Sequence, residues 1–519
     1  MIPSQTIWAP VRNSLARALL ALGVAAVLAH APLTGASPAF AQAPPAAQAA
    51  QKVQDDKRLP ADVSRDHTLD LSGRALRFTA TAGSIPLFEG EGGDLIAEVA
   101  VTAFIRSDAK AGERPVTFVF NGGPGAASAY LNIGALGPWR LPLGRIAPSV
   151  SPELVANGET WLDFTDLVFI DPPGTGYSRV VAGKDGARKR LWSVDGDADA
   201  LAVVIRKWVE KSGRQASPKF IAGESYGGFR APKVGRELRQ QGIAVRGLVM
   251  ISPVIDFAGL GQRRHAPMSF VHLLPSLAAA ALDAGGKFER SALEPVERYA
   301  IGDYLDDLLK GERDAAAVER ISARVAALTG LDADLVKRRA GRIDPGTFQR
   351  QFHRGRKLVG SAYDPTVTAF DPSPSSRNSR FTDPVLDAMT APLTSAMTGL
   401  YRDKLGWVVE RPYRLLERDV SSGWDWGRGR SSPEVVDDLR DLVAADGAVR
   451  VLVVHGANDL VTPYFANKLL LDQLPVYGSA DRVKLEVYAG GHMFYDRDAS
   501  RRALHADAAA MYRAATASE

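Results

Sequence analysis

Lys219-Phe220-Ile221-Ala222-Gly223-Glu224-Ser225-Tyr226-Gly227 runs from a short apolar, strand-like stretch into a GxSxG pentapeptide, and a helix-like stretch, Phe229 to Gln240, follows at once. Ser225 therefore sits where a strand turns into a helix. Such a turn lifts a serine hydroxyl above the edge of a sheet, and glycines flank it because a side chain there would strike neighbouring backbone. A serine used as a nucleophile needs a proton acceptor, and the acceptor needs an orienting carboxylate. In this strand-turn-helix setting the partners follow the serine in the order acid, then histidine.

Both partners are found at strand ends. Val451 to Val454 reads as a buried strand that runs into His455-Gly456-Ala457-Asn458-Asp459, placing Asp459 on the loop at its C-terminal end, where open α/β sheets build their sites. The next strand, Lys484 to Tyr488, runs into Ala489-Gly490-Gly491-His492 and brings His492 to the same edge. Asp459 is the candidate acid and His492 the candidate base. His455 precedes the acid and is expected to shape its loop. Asp496 and Asp498 follow His492 so closely that they are expected to begin the last helix, and Asp171 is expected to shape its own turn.

Acyl chemistry also needs an oxyanion hole, made by the amide after the nucleophile, here Tyr226, and an amide from an earlier loop. The strand-like run Val116 to Phe120 delivers such a loop in Asn121-Gly122-Gly123-Pro124-Gly125. Glycines let its backbone approach a reacting carbonyl closely.

The rest of the chain fits a mostly parallel sheet flanked by helices. Arg74 to Thr81 and Ile96 to Arg106 alternate apolar and polar residues across a glycine-rich turn and read as an antiparallel hairpin. Val116 to Phe120, Leu167 to Ile170, Phe220 to Ala222 and Leu248 to Ile251 are short continuous apolar runs, the pattern of parallel strands buried on both faces. Helical periodicity dominates from 257 to 405, as in Met268 to Ala284, Pro295 to Leu309 and Asp314 to Leu328, with a Pro/Ser-rich loop at Asp371 to Ser379. This predicts an α/β core in two parts, 66–256 and 406–519, with a helical cap inserted at 257–405. Ser432-Pro433-Glu434 reads as a capped helix start where the α/β pattern resumes.

At 519 residues, 46% hydrophobic and 24% charged, the chain can bury a large core. Its 63 basic and 59 acidic residues are spread along the sequence, without the basic stripe that binding nucleic acid requires. Arg12 and Arg17 precede the apolar run Ala18 to Ala29, and Ala39-Phe40-Ala41 offers small residues at a cleavage spacing. Residues 1–41 thus read as a secretory signal peptide cleaved after Ala41, giving a periplasmic or secreted protein without a stable membrane anchor. Their apolar run falls short of the roughly 20 residues needed to span a bilayer. Residues 42–65 are expected to form a flexible mature N-terminus, with Ala43 to Ala50 rich in Ala, Pro and Gln. There is no cysteine, which excludes disulfides, a lipoprotein anchor, a cysteine nucleophile and thiolate metal sites. HExxH is absent too, and the reading calls for no metal and no cofactor.

Taken together, Phe120-Asn121-Gly122-Gly123-Pro124-Gly125, Gly223-Glu224-Ser225-Tyr226-Gly227 and Gly491-His492-Met493 resemble the serine carboxypeptidases, and Leu136-Gly137-Pro138 and Gly174-Thr175-Gly176-Tyr177-Ser178 match in order. The resemblance implies an α/β-hydrolase fold and release of the C-terminal residue of a peptide through an acyl-enzyme, usually at acidic pH. It makes Ser225, Asp459 and His492 the triad and Gly123 and Tyr226 the oxyanion donors. Asn121 and Glu224, with Gly122 beside them, map onto residues that hold the substrate's terminal carboxylate. Glu224 can do so only when protonated, since two carboxylates in contact repel unless they share a proton.

Three positions depart from the family's pattern. Phe120 stands where it has Trp, Ala126 where it has Cys, and Ala135 where it usually has a Glu that pairs with the Glu of the elbow. Either another residue replaces that partner or recognition of the carboxylate is weakened. An esterase or acyltransferase on the same scaffold is the alternative expectation, and a non-catalytic binding protein a third.

Overall fold

A computed structural model describes residues 57–517, apart from 72, 91, 111, 144–148, 150–152, 182, 261–263, 377–379 and 430. The expected signal peptide, 1–41, lies outside the described residues.

The central sheet contains β1 (Val63–Asp70), β2 (Ala75–Phe88), β3 (Leu95–Arg106), β4 (Val116–Phe120), β5 (Asp166–Ile170), β6 (Lys219–Glu224), β7 (Gly247–Ile251), β8 (Arg450–Gly456) and β9 (Val483–Tyr488). They lie in the order β1-β2-β3-β5-β4-β6-β7-β8-β9, and the two-residue strand Arg179–Val180 pairs with β3 off this path. Strands β1 to β3 pair antiparallel, β3 meets β5 antiparallel, and every neighbouring pair from β5 to β9 is parallel. The hairpin read from the sequence is thus β2 and β3, and the apolar runs are the parallel strands. β4 to β7 are buried throughout, because helices cover both faces.

Alternate side chains of these strands enter two cores. Val119, Phe169, Ala222, Val249, Leu452 and Val454 face one, packed with the C-terminal end of the chain. Phe118, Val168, Ile221, Leu248, Val451 and Val453 face the other. Helices α1 (Val194–Ser212), α2 (Tyr226–Gln240) and α6 (Val436–Ala445) cover the second face, and α7 (Asp498–Thr516) covers the first. There Tyr512 stacks on Phe220 of β6 with ring centroids 3.9 Å apart, holding the strand that ends in Ser225 against the last helix.

The region expected to form a cap is mainly helical, and α3 (Pro267–Ala284) and α4 (Ala315–Thr329) build a third core with Phe270, Leu274, Ile321 and Val325. By length and composition α3 could cross a membrane, but its apolar residues form this core. Helix α5 (Pro384–Gly399) packs differently: Val385, Met389, Leu393 and Met397 join the first core of the sheet. A small hairpin, Leu358–Gly360 with Thr368–Phe370, interrupts the helices.

Two local expectations need correction. The stretch expected to be flexible as far as 65 already follows the fold from Lys57: Leu59 is buried, its N–H donates to Glu98 at 3.1 Å, and β1 starts at Val63. β1 was overlooked because Val63-Ser64-Arg65-Asp66-His67-Thr68-Leu69-Asp70 is a polar edge strand with little apolar alternation. The helix after Ser432-Pro433-Glu434 begins only at Val436, where the Glu434 carboxylate accepts the Val436 N–H.

Candidate active site

Ser225 lies between β6 and α2 with φ 60° and ψ −122°, a conformation that costs a non-glycine residue on the order of 1–3 kcal/mol. Its surroundings hold it there. The Ser225 N–H donates to the Ile251 carbonyl at 2.9 Å, and its own carbonyl accepts the Gly228 N–H at 2.9 Å. A Cβ on Gly223 would overlap the Gly227 carbonyl oxygen, so the flanking glycines are a steric requirement of the turn.

Asp459 follows β8 and is fully buried. One of its oxygens accepts the N–H groups of Val461 (2.8 Å) and Thr462 (3.0 Å). The other accepts the Thr462 hydroxyl at 2.6 Å and lies 2.6 Å from His492 Nδ1. With Nδ1 donating to this carboxylate, Nε2 is left as the proton acceptor. Burial works to raise the Asp459 carboxyl, but the imidazole and the hydrogen bonds from His492 and Thr462 hold it below the usual carboxylate range. Burial works to lower His492, and the Asp459 charge outweighs it, so the imidazole lies above its ordinary value.

The backbone of His492 is fixed from two sides. Its N–H donates to the Tyr363 carbonyl at 2.6 Å, and its carbonyl accepts the Ser252 hydroxyl at 2.7 Å. The Tyr363 ring stands edge-on to the imidazole, with centroids 5.3 Å apart. Ser225 and His492 share the wall of one cavity of about 110 Å³ with Asn121, Gly122, Gly123 and Glu224. Ala126, Tyr130, Leu386, Leu416, Val461 and Met493 give the rest of that wall an apolar character.

The Asn121 to Gly125 loop lies directly against the elbow. A Cβ on Gly122 would stand 2.5 Å from the Tyr226 nitrogen, and Gly123 and Gly125 have φ of 101° and 108°, the left-handed region glycine tolerates. Gly123 and Tyr226 thus belong to two segments in backbone contact, and Tyr226 opens α2, whose N-terminal end favours negative charge.

Glu224 is buried beside Ser225 and accepts the Asn121 side-chain amide and, at 2.9 and 3.0 Å to its two oxygens, the Tyr495 hydroxyl. Its neighbours are an amide and a phenol instead of a second carboxylate. Burial pushes the Glu224 carboxyl up to about 7, against the His492 charge and the hydrogen bonds from Tyr495 and Asn121. Ala135 is buried in the turn Asn132–Leu136, and the Tyr495 ring packs over its neighbour Gly134.

The other acids and the second histidine have separate places. His455 is buried, its Nε2 pairs with the Asn467 side chain at 2.9 Å, and burial lowers it to about 4, so it is a neutral core residue. Asp171 accepts the N–H (2.9 Å) and hydroxyl (2.7 Å) of Ser128, as a turn-shaping residue does. Asp498 begins α7 and pairs with Arg501 at 2.6 Å, whereas Asp496 closes the preceding short turn Phe494–Asp496. Thr462, Tyr363 and Tyr495 were missed by sequence reasoning, since a lone Thr or Tyr carries no motif. Among the described residues no cluster of three or more His, Asp or Glu side chains suits a metal ion.

Residues 103–261, which include the Asn121 loop and the Ser225 elbow, match the family model described as serine carboxypeptidase. Over this stretch the chain is similar to the serine carboxypeptidase family. It is 30% identical over 149 residues to the pheromone-processing carboxypeptidase KEX1 of Yarrowia lipolytica, over 28% of this chain and 23% of that one. It is 28% identical over 183 residues to serine carboxypeptidase 1 of Hordeum vulgare, over 34% of this chain and 33% of the relative. The matched stretch thus spans about a quarter to a third of these relatives' length. The crystal structure of the prohormone-processing carboxypeptidase KEX1 from Saccharomyces cerevisiae superposes with a TM-score of 0.50 at 16% identity, over 82% of this chain and 90% of that one. This likeness establishes the α/β-hydrolase fold.

Proposed function

We propose that this protein removes C-terminal residues from peptides through an acyl-enzyme. The observation that carries the proposal is the 2.6 Å contact of Asp459 with His492 Nδ1, with His492 and Ser225 on the wall of one cavity. His492 Nε2 takes the Ser225 proton as Oγ attacks the peptide carbonyl, and returns it to the leaving amine. Water then enters, gives a proton to His492 and releases the acid. Asp459 keeps the imidazole in the required tautomer and stabilises its charge in both steps. Gly123 and Tyr226 donate their N–H groups to the oxyanion, each such donor contributing about 2.7–4 kcal/mol to the transition state.

Glu224, Asn121 and Gly122 receive the terminal carboxylate. A carboxyl pushed up to about 7 keeps its proton in mildly acidic solution and donates it to the substrate carboxylate. Tyr495 is the hydrogen-bond partner of Glu224 where the family has a second carboxylate, and burial in place of a shared proton keeps Glu224 protonated, so the loss of Glu at 135 leaves carboxylate recognition in place. The apolar wall of Tyr130, Leu386, Leu416, Val461 and Met493 favours an apolar side chain next to the scissile bond.

His492 and Glu224 influence each other, since each appears among the charges that shift the other. The working form has a neutral imidazole and a protonated Glu224, and its rival with the same net charge has an imidazolium and a carboxylate. Activity is therefore bell-shaped in pH, with limbs that belong to the pair. The raised His492 limits activity on the acid side, which moves the optimum toward neutrality. We also propose export, on the pattern of residues 1–41, and N-terminal sequencing of the exported protein checks cleavage after Ala41.

The deciding experiment is mass spectrometry of paired free-acid and C-terminally amidated peptides across pH, with Ser225→Ala as control. Loss of single C-terminal residues from the free acids alone is the expected result. Equal rates on both series would overturn the carboxypeptidase reading, and ester turnover without trimming of either series would leave an esterase or acyltransferase.

A further inference from the structure

Arg230 lies one turn after Tyr226 on the buried side of α2, and Asp197 faces it from α1. Arg230 Nε pairs with Asp197 Oδ2 at 2.5 Å, and both side chains are almost wholly buried. The guanidinium is turned toward the backbone of the Asn121 loop. Its Nη1 donates to the Asn121 carbonyl and lies 3.4 Å from the Gly122 carbonyl, which also accepts the Ala126 N–H at 3.1 Å. The same guanidinium sits 4.8 Å from the centre of the Tyr226 ring, with the Trp424 ring 5.9 Å away.

We propose that Arg230 is a positioning residue for the oxyanion hole, holding the Asn121 to Gly123 backbone and Tyr226 in register from behind the site. This rests on the reading of Gly123 and Tyr226 as the oxyanion donors. The carbonyl of Gly122 belongs to the peptide group whose N–H is that of Gly123. Donors on that carbonyl polarise the group and strengthen its N–H as a donor on the other side. The carbonyl of Asn121 belongs to the same residue whose side chain binds Glu224, so one cation fixes the loop that serves both the oxyanion and the carboxylate. Arg230 is suited to this because its planar fork can address a carboxylate and backbone carbonyls at once, which a lysine ammonium cannot. Asp197 makes the buried charge tolerable, and removing one partner alone would leave the other uncompensated.

The test compares wild type, Arg230→Lys and the double variant Asp197→Asn/Arg230→Met, in which both buried charges are removed together. A fluorophosphonate probe reads the site directly: Ser225 Oγ forms a bond to phosphorus, fluoride leaves, the serine proton goes to His492, and the phosphoryl oxygen occupies the oxyanion hole. Melting temperatures and peptide kinetics are measured in parallel. The double variant is expected to fold and to label at least tenfold more slowly, with kcat reduced and KM within about twofold of wild type. Arg230→Lys is expected to fall between the two, recovering part of the rate. Should the double variant not fold, Arg230→Lys decides, with labelling several-fold below wild type expected. A folded double variant that labels within twofold of wild type overturns the proposal, as does wild-type labelling by Arg230→Lys where that variant decides. Failure of wild type itself to label would instead overturn the serine hydrolase reading on which this one rests.

Discussion

Replacing Glu224 by Gln removes a titrating proton and keeps the shape of the side chain. In the folded protein Glu224 is pushed from 4.5 up to about 7, first by burial. Between these values the native state holds a proton that the unfolded chain has released, so stability falls as pH rises through the interval. The full effect, reached above pH 7, is roughly 3 kcal/mol, because each pKa unit corresponds to about 1.4 kcal/mol. Wild type should therefore lose about this much stability between pH 5 and pH 8 from Glu224 alone, and Glu224→Gln should lose correspondingly less. Urea unfolding at the two pH values measures the difference.

The same substitution separates recognition from chemistry. At pH 8 about a tenth of wild-type molecules retain the Glu224 proton, which predicts a roughly tenfold fall in kcat/KM on free-acid peptides relative to pH 6. Gln offers an N–H donor at every pH, so in Glu224→Gln the alkaline limb should disappear and trimming at pH 8 should persist. Glu224→Ala should lose trimming at all pH values. An unchanged alkaline limb in Glu224→Gln, together with an unchanged stability profile, would refute the assignment of the raised carboxyl to Glu224.

Asp459→Asn leaves a neutral partner that no longer holds the imidazole in its tautomer, and kcat is expected to fall by about 10³–10⁴ with KM little changed in steady-state assays. Gly122→Ala puts a Cβ 2.5 Å from the Tyr226 nitrogen, so the loop must retreat from the elbow. A loss of about 10²–10³ in kcat, the size expected for one oxyanion donor, is predicted from kinetics on an ester and a peptide alike.

The parts of the site legible in the sequence share one property. Ser225, Asp459, His492 and the Asn121 loop each follow the C-terminal end of a parallel strand, and a parallel sheet brings all such ends to one edge. Strand identity plus chain order was enough to assemble them. The parts that escaped depend on contacts between distant segments. Thr462 is recognisable only once Asp459 has a geometry, and Tyr363 reaches His492 through the small hairpin at 358–370, inside a region whose strong signal is helical periodicity. Arg230 reads as an ordinary charge on an amphipathic helix until α1 places Asp197 against it. The edge strand β1 was lost for the opposite reason, since its polar pattern carries no burial signal at all.

Tyr495 joins the two levels. Its hydroxyl donates to Glu224 and favours the carboxylate, so among the influences on Glu224 it works against burial. Tyr495→Phe removes that donor without opening a cavity. The Glu224 carboxyl should then rise further, and the alkaline limb of peptide trimming should move to higher pH, while ester hydrolysis, which needs no terminal carboxylate, should keep its profile. The lost buried hydrogen bond costs about 1–3 kcal/mol when the acceptor is left charged, and less when Glu224 is protonated. Destabilisation of Tyr495→Phe should therefore be larger at pH 8 than at pH 5, a comparison that urea unfolding resolves. An alkaline limb moved to lower pH would mean that Tyr495 instead supports the protonated form, and its hydroxyl would then act with burial on Glu224 and not against it.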